Sequence, residues 1–164
     1  WLMAELEKQD IYACALAMPN PNEPKVDEWL DEIGRHVENN NDEIYLVGHS
    51  LGSPAILRYL EQSSARKISG ALLASCPIEW NENKKIDNFL DKEFDFKVVK
   101  SNAEKFVVIH GDNDPLVPVN NAERLAKALG CELIVVRDGG HLNGSSGWTS
   151  LPQALDALNK MFGK

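Results

Sequence analysis

No apolar stretch in this chain approaches the length needed to cross a membrane. Its hydrophobic residues, 43% of 164, come in short bursts broken by charge, which excludes a spanning helix of about 20 apolar residues. Cysteine is scarce. Cys14, Cys76 and Cys131 lie far apart, without a Cys-x-x-Cys pair, so no disulfide framework is expected and buried thiols in a reducing, cytoplasmic setting are the default. Basic residues are outnumbered, 17 against 25, for a net charge of -8, which argues against a phosphate-backbone binder and leaves nucleic acid an unexpected partner. No histidine–carboxylate cluster stands out, so neither a metal nor a cofactor is expected. No repeat, low-complexity tract, linker or signal peptide is visible in these residues, and the length suits one domain over residues 1–164.

What is present is an alternation of helix and strand signals. Leu2 and Leu6 are spaced for one face of a helix within residues 1–9, and residues 11–17 read as a strand. Pro19, Pro21 and Pro24 force a loop. Val26, Trp29, Leu30, Ile33 and Val37 mark an amphipathic helix that ends in the asparagine-rich run 39–42. Strands are expected near Ile44–Val47, read as short and buried, and at Gly70–Ser75, Phe106–His110 and Glu132–Val136. Helices are expected from Pro54 to about Gln62 and over Ala122–Leu129, the latter stopped by Gly130. A last helix should open on a Ser150/Gln153 capping box, with Pro152 in its first turn. Residues 78–105, carrying Trp80, Phe89, Phe94 and Phe96, form a connection long enough to be a small cap. Such alternation predicts a three-layer α/β sandwich with a mostly parallel sheet, whose ligands sit beyond the carboxyl ends of the strands.

The stretch Gly48-His49-Ser50-Leu51-Gly52 lies between a strand and a helix. A serine on so sharp a turn needs neighbours without Cβ on both sides, and its Oγ then stands above the sheet. The Leu51 amide, first of the helix, would face an oxyanion forming there. A serine hydroxyl needs a base within hydrogen-bonding reach, and the base needs an acid to orient it. Among four histidines, His36 reads as a solvated helix residue, His49 as pointing away from Ser50, and His110 as a core or loop residue. His141, at a strand exit after Gly139 and Gly140, fits the base best. For the acid, both Asp112 and Asp114 are in reach, each also readable as a turn former; Asp114 lies nearer mid-loop, before Pro115. Ser50, the aspartate loop and His141 each follow a strand, so all three converge on one sheet edge.

These motifs together, Gly48 to Gly52, Gly111-Asp112-Asn113-Asp114-Pro115 and Gly139-Gly140-His141-Leu142-Asn143, resemble the small serine hydrolases of the YdeN and retinoblastoma-binding-protein-nine group. The Met18–Pro21 loop and Phe94-Asp95-Phe96 share the likeness. The resemblance implies an α/β-hydrolase fold, Asp114 as the acid of a Ser50–His141–Asp114 triad, and hydrolysis of carboxylic esters or related small acyl substrates. Peptidase and thioesterase chemistry use the same triad. The group's association with protein binding keeps a non-catalytic binding module, with a protein partner, as the other alternative. Members of the group begin with a further strand whose His-Gly loop supplies the second oxyanion amide. Such a strand would precede Trp1, need about 15 to 20 residues, and lie between the strand at Ile11 and the elbow strand. Without it, unpaired edges, poor folding or inactivity are expected.

Overall fold

The computed structural model describes residues 1–39, 42–62, 65–79 and 86–164. Four parallel strands, β1 (Tyr45–His49), β2 (Ile68–Ala74), β3 (Ala103–Gly111) and β4 (Glu132–Val136), lie in the order β1-β2-β3-β4. The register sets Tyr45 beside Gly70, Ala71 beside Phe106 and Val108 beside Leu133.

Because the strands advance across the sheet in one direction, right-handed crossovers place their helices on one face. That face carries α3 (Gly52–Leu60), α4 (Asp87–Leu90), α5 (Phe96–Ser101) and α6 (Val119–Leu129), joined by α2 (Val26–Glu38). Their core packs Trp29, Ile33, Leu57, Phe89, Val99 and Leu125. The opposite face is covered by α1 (Leu2–Glu7) and α7 (Pro152–Met161) through Leu6, Ala154, Leu158 and Met161. The result is a three-layer α/β sandwich.

Helix α2 closes at Asn39; Asn40 and Asn41 of the asparagine run lie outside the described residues, as does Trp80. Within 78–105, the described part holds α4 and α5 and is fastened to α3 by buried Arg58. Its Nε donates to the Phe89 carbonyl at 2.8 Å and a terminal nitrogen to Lys92 O. The guanidinium sits 3.8 Å from the centre of the Phe94 ring.

Three local expectations are corrected. Residues 11–17 form no strand: among the described residues, no hydrogen bond joins the backbone of 12–18 to a neighbour, and a strand exists only as a paired ladder. Helix α7 begins after Leu151 with Pro152 in its first turn and no side-chain cap, so Ser150 and Gln153 make no capping box. The elbow strand is only partly buried, with Val47 46% exposed, because β1 is an edge of the sheet.

That edge has a direction. Ser50 N–H donates to Ala74 O at 2.9 Å, and Ile44 O accepts from Ser69 N–H at 2.9 Å. By alternation, the backbones of Leu46 and Gly48 also face β2, whereas those of Tyr45, Val47 and His49 face outward. Between them and residues 11–18 runs an apolar cleft of about 460 Å³. Among the described residues, no helix is long and apolar enough to cross a membrane.

Candidate active site

Ser50 occupies the turn from β1 into α3 with φ of 51°, a left-handed conformation uncommon for a residue bearing Cβ. The turn is possible because Gly48 has no side chain: a Cβ there would lie 2.7 Å from Ser53 N and 2.8 Å from Gly52 C. The matching expectation for Gly52 is corrected. A Cβ at Gly52 would meet nothing within 4 Å, since Gly52 faces the cleft beside β1. One glycine, not two, is sterically required.

Loop 111–118 follows β3, and His141 follows β4, as their positions after the strands imply. His141 Nε2 lies 2.9 Å from Ser50 Oγ and its Nδ1 lies 2.8 Å from Asp114 Oδ2. Asp114 Oδ1 accepts from the amides of Leu116 at 2.9 Å and Val117 at 3.0 Å. The Asp114 carboxylate has no solvent exposure. Burial pushes its pKa up, but the Leu116 amide, the His141 side chain and the Val117 amide together outweigh this and hold it below the ordinary value. Asp112 takes no part: its Oδ1 accepts from Asp138 N–H at 2.8 Å. The geometry therefore separates two aspartates that spacing alone leaves open.

Leu51 sits at the N-cap of α3, and among the described residues its N–H donates to no protein group. It is available to an anion above Ser50.

Several residues that the sequence reading passed over hold this arrangement. Asn113 Oδ1 accepts from Gly140 N–H at 2.7 Å, and Ser146 Oγ from His141 N–H at 3.1 Å. Asn143 Oδ1 accepts from Ser146 N–H at 3.0 Å. His110, fully buried, bonds through Nε2 to Val117 O at 2.9 Å, with the same nitrogen 3.7 Å from Asp114 Oδ2. His49 does not turn away from the site: its Nε2 lies 2.8 Å from the His141 carbonyl, and the two rings meet edge to face at 5.0 Å. Short polar residues close to His141 in sequence were the available signal for Asn143 and Ser146; nothing local marks His49.

No group of three or more His, Cys, Asp or Glu side chains is arranged to hold a metal among the described residues. Cys14, Cys76 and Cys131 are free thiols; burial pushes the Cys131 thiol up to about 11 and Cys76 higher still.

A parallel sheet between helical layers, with serine, aspartate and histidine meeting in that chain order at its carboxyl edge, defines an α/β-hydrolase fold. The serine hydrolase family model matches residues 1–160. Over its whole length the chain is 34% identical to YdeN of Bacillus subtilis (strain 168), covering 87% of that protein. The crystal structure of the B. subtilis ydeN gene product superposes with a TM-score of 0.93 over 100% of this chain and 89% of that one. A YdeN-like protein from Pectobacterium atrosepticum, 21% identical, shares the fold with a TM-score of 0.74, covering 98% of this chain and 81% of its own. The chain belongs to the serine hydrolase family as a YdeN-like α/β hydrolase.

Proposed function

We propose that the protein hydrolyses carboxylic esters through an acyl-serine intermediate. The observation that carries this reading is the continuous pair of contacts from Ser50 Oγ to His141 Nε2 at 2.9 Å and from His141 Nδ1 to Asp114 Oδ2 at 2.8 Å. Ser50 Oγ attacks the carbonyl carbon while its proton passes to His141 Nε2. Asp114 holds the Nδ1–H tautomer and balances the imidazolium charge. The oxyanion rests on the Leu51 amide. Collapse expels the alcohol, which takes the proton from His141. Water, deprotonated by the same nitrogen, then releases the carboxylate and restores Ser50.

The outward-facing edge of β1 supports a place for the second oxyanion donor, on a further strand paired with Tyr45, Val47 and His49. Three free thiols suit a reducing, cytoplasmic setting. The substrate is small and not strongly anionic, since the net charge of -8 disfavours anions.

The test is turnover of matched p-nitrophenyl ester, thioester and peptide anilide substrates by the parent and Ser50→Ala. Ester turnover exceeding the other two, and lost in Ser50→Ala, is expected. A folded parent that prefers the thioester or anilide would replace ester with that bond. A folded parent that turns over none of them would favour a binding module.

A further inference from the structure

We infer that His49 is a positioning residue that sets the distance between the nucleophile and its base. The inference rests on the hydrolytic reading of Ser50 and His141, but its geometry is independent of the substrate. A carbonyl only accepts, so the 2.8 Å contact requires His49 to present Nε2–H to His141 O. The residue that makes this bond is covalently next to Ser50. It therefore ties the end of β1, which carries the nucleophile, to the loop that carries the base, 92 positions away.

The other restraints on His141 come from elsewhere. Asp114 holds the ring from the β3 loop, and Ser146 holds the amide from within the same loop. Among the described residues, the only other side-chain hydrogen bond from the 44–60 region to the 138–147 loop is the Ser50–His141 contact itself. Leu142, with φ of 50°, follows in a left-handed turn that fixes the direction of the His141 carbonyl. The peptide of His141 is thus pinned at both ends, its N–H by Ser146 and its C=O by His49.

The edge-to-face ring contact at 5.0 Å and 61° adds a second restraint, limiting tilt of the His141 imidazole. Withdrawal from water holds the His49 imidazolium below the ordinary histidine range. A lowered pKa favours the neutral His49 ring beside His141.

The test compares His49→Gln and His49→Asn, two amides that differ by one methylene. The glutamine nitrogen extends to the place of Nε2; the asparagine nitrogen stops at the place of Nδ1. Two readouts are taken: kcat and KM for a p-nitrophenyl ester, and the downfield proton resonance of His141 Nδ1 in its bond to Asp114. His49→Asn is expected to lower kcat by about tenfold, the order of one lost hydrogen bond, with KM unchanged and the resonance broadened by exchange. His49→Gln is expected to recover kcat to within about threefold and to keep the resonance sharp. Equal behaviour of the two variants, in turnover or in the resonance, overturns the role of His49 even when the ester reading holds. If the folded parent turns over no ester, that reading fails, and the resonance still decides: sharp in parent and glutamine variant but broad in the asparagine variant supports positioning, and no difference refutes it.

Discussion

At the carboxyl ends of β3 and β4, loops 111–118 and 138–147 are stitched together by Asp112 on the Asp138 amide, Asn113 on the Gly140 amide and Asp114 on the His141 ring. At the other side of the sheet, the outward backbone of β1 and residues 12–18 face each other across an apolar cleft, with no hydrogen-bonded ladder between them among the described residues. The contrast teaches that the acid and base are held mainly by two loops, with His49 the tie that reaches them from the β1 flank. Hydrogen bonds within and between two loops orient His141 and Asp114 before any substrate arrives, which is the preorganisation that proton transfer needs. On the oxyanion side, by contrast, the Leu51 amide has no protein acceptor among the described residues.

The sharpest way to break the stitched flank is at Gly111. A Cβ there would lie 2.2 Å from Gly140 O and 2.9 Å from Gly139 C, so the two loops can approach only because this position has no side chain. Gly111→Ala is expected to lower stability by about 3 kcal/mol, read as a shifted urea midpoint with an unchanged slope. A midpoint matching the parent would show that the loops are not locked against each other.

A smaller effect comes from acid. Since the native pKa of Asp114 is lowered, the unfolded chain binds its proton first as pH falls. The stability contributed by the carboxylate is full above the ordinary 3.8 and is lost as pH falls through the lowered native value. Urea melts of the parent and Asp114→Asn from about pH 6 downward should therefore show a parent advantage that narrows only below the ordinary carboxylate range. An advantage that does not change with pH would contradict the buried, amide-bound carboxylate.

The smallest effect belongs to the open flank. Val47 is 46% exposed, so Val47→Thr should change stability by less than about 0.5 kcal/mol. A loss comparable to that of Gly111→Ala would mean that the cleft beside β1 is closed in solution.

Much of this was legible in the sequence where one residue type answers one local demand. Periodic apolar residues marked α2, α6 and α7, and Gly48 marked the elbow, because helix faces and tight turns leave patterns within a few positions. Asp114 over Asp112 was not decidable from the residues, since both suit the turn and only the three-dimensional position of His141 separates them. His49 was misread for the same reason: its partner is a main-chain carbonyl 92 positions away. The expected strand over residues 11–17 has the composition of a strand but no paired neighbour, and composition does not report pairing. Arg58 shows the converse case, a charged residue on a helix that is buried because carbonyls and Phe94 receive it.

The most direct measurement of the central claim is the intact mass of the protein after exposure to a fluorophosphonate, alongside Ser50→Ala. An activated Ser50 predicts a single phosphonyl adduct on the parent and none on the variant. A folded parent that takes no adduct, or a Ser50→Ala variant that takes one, would contradict the account.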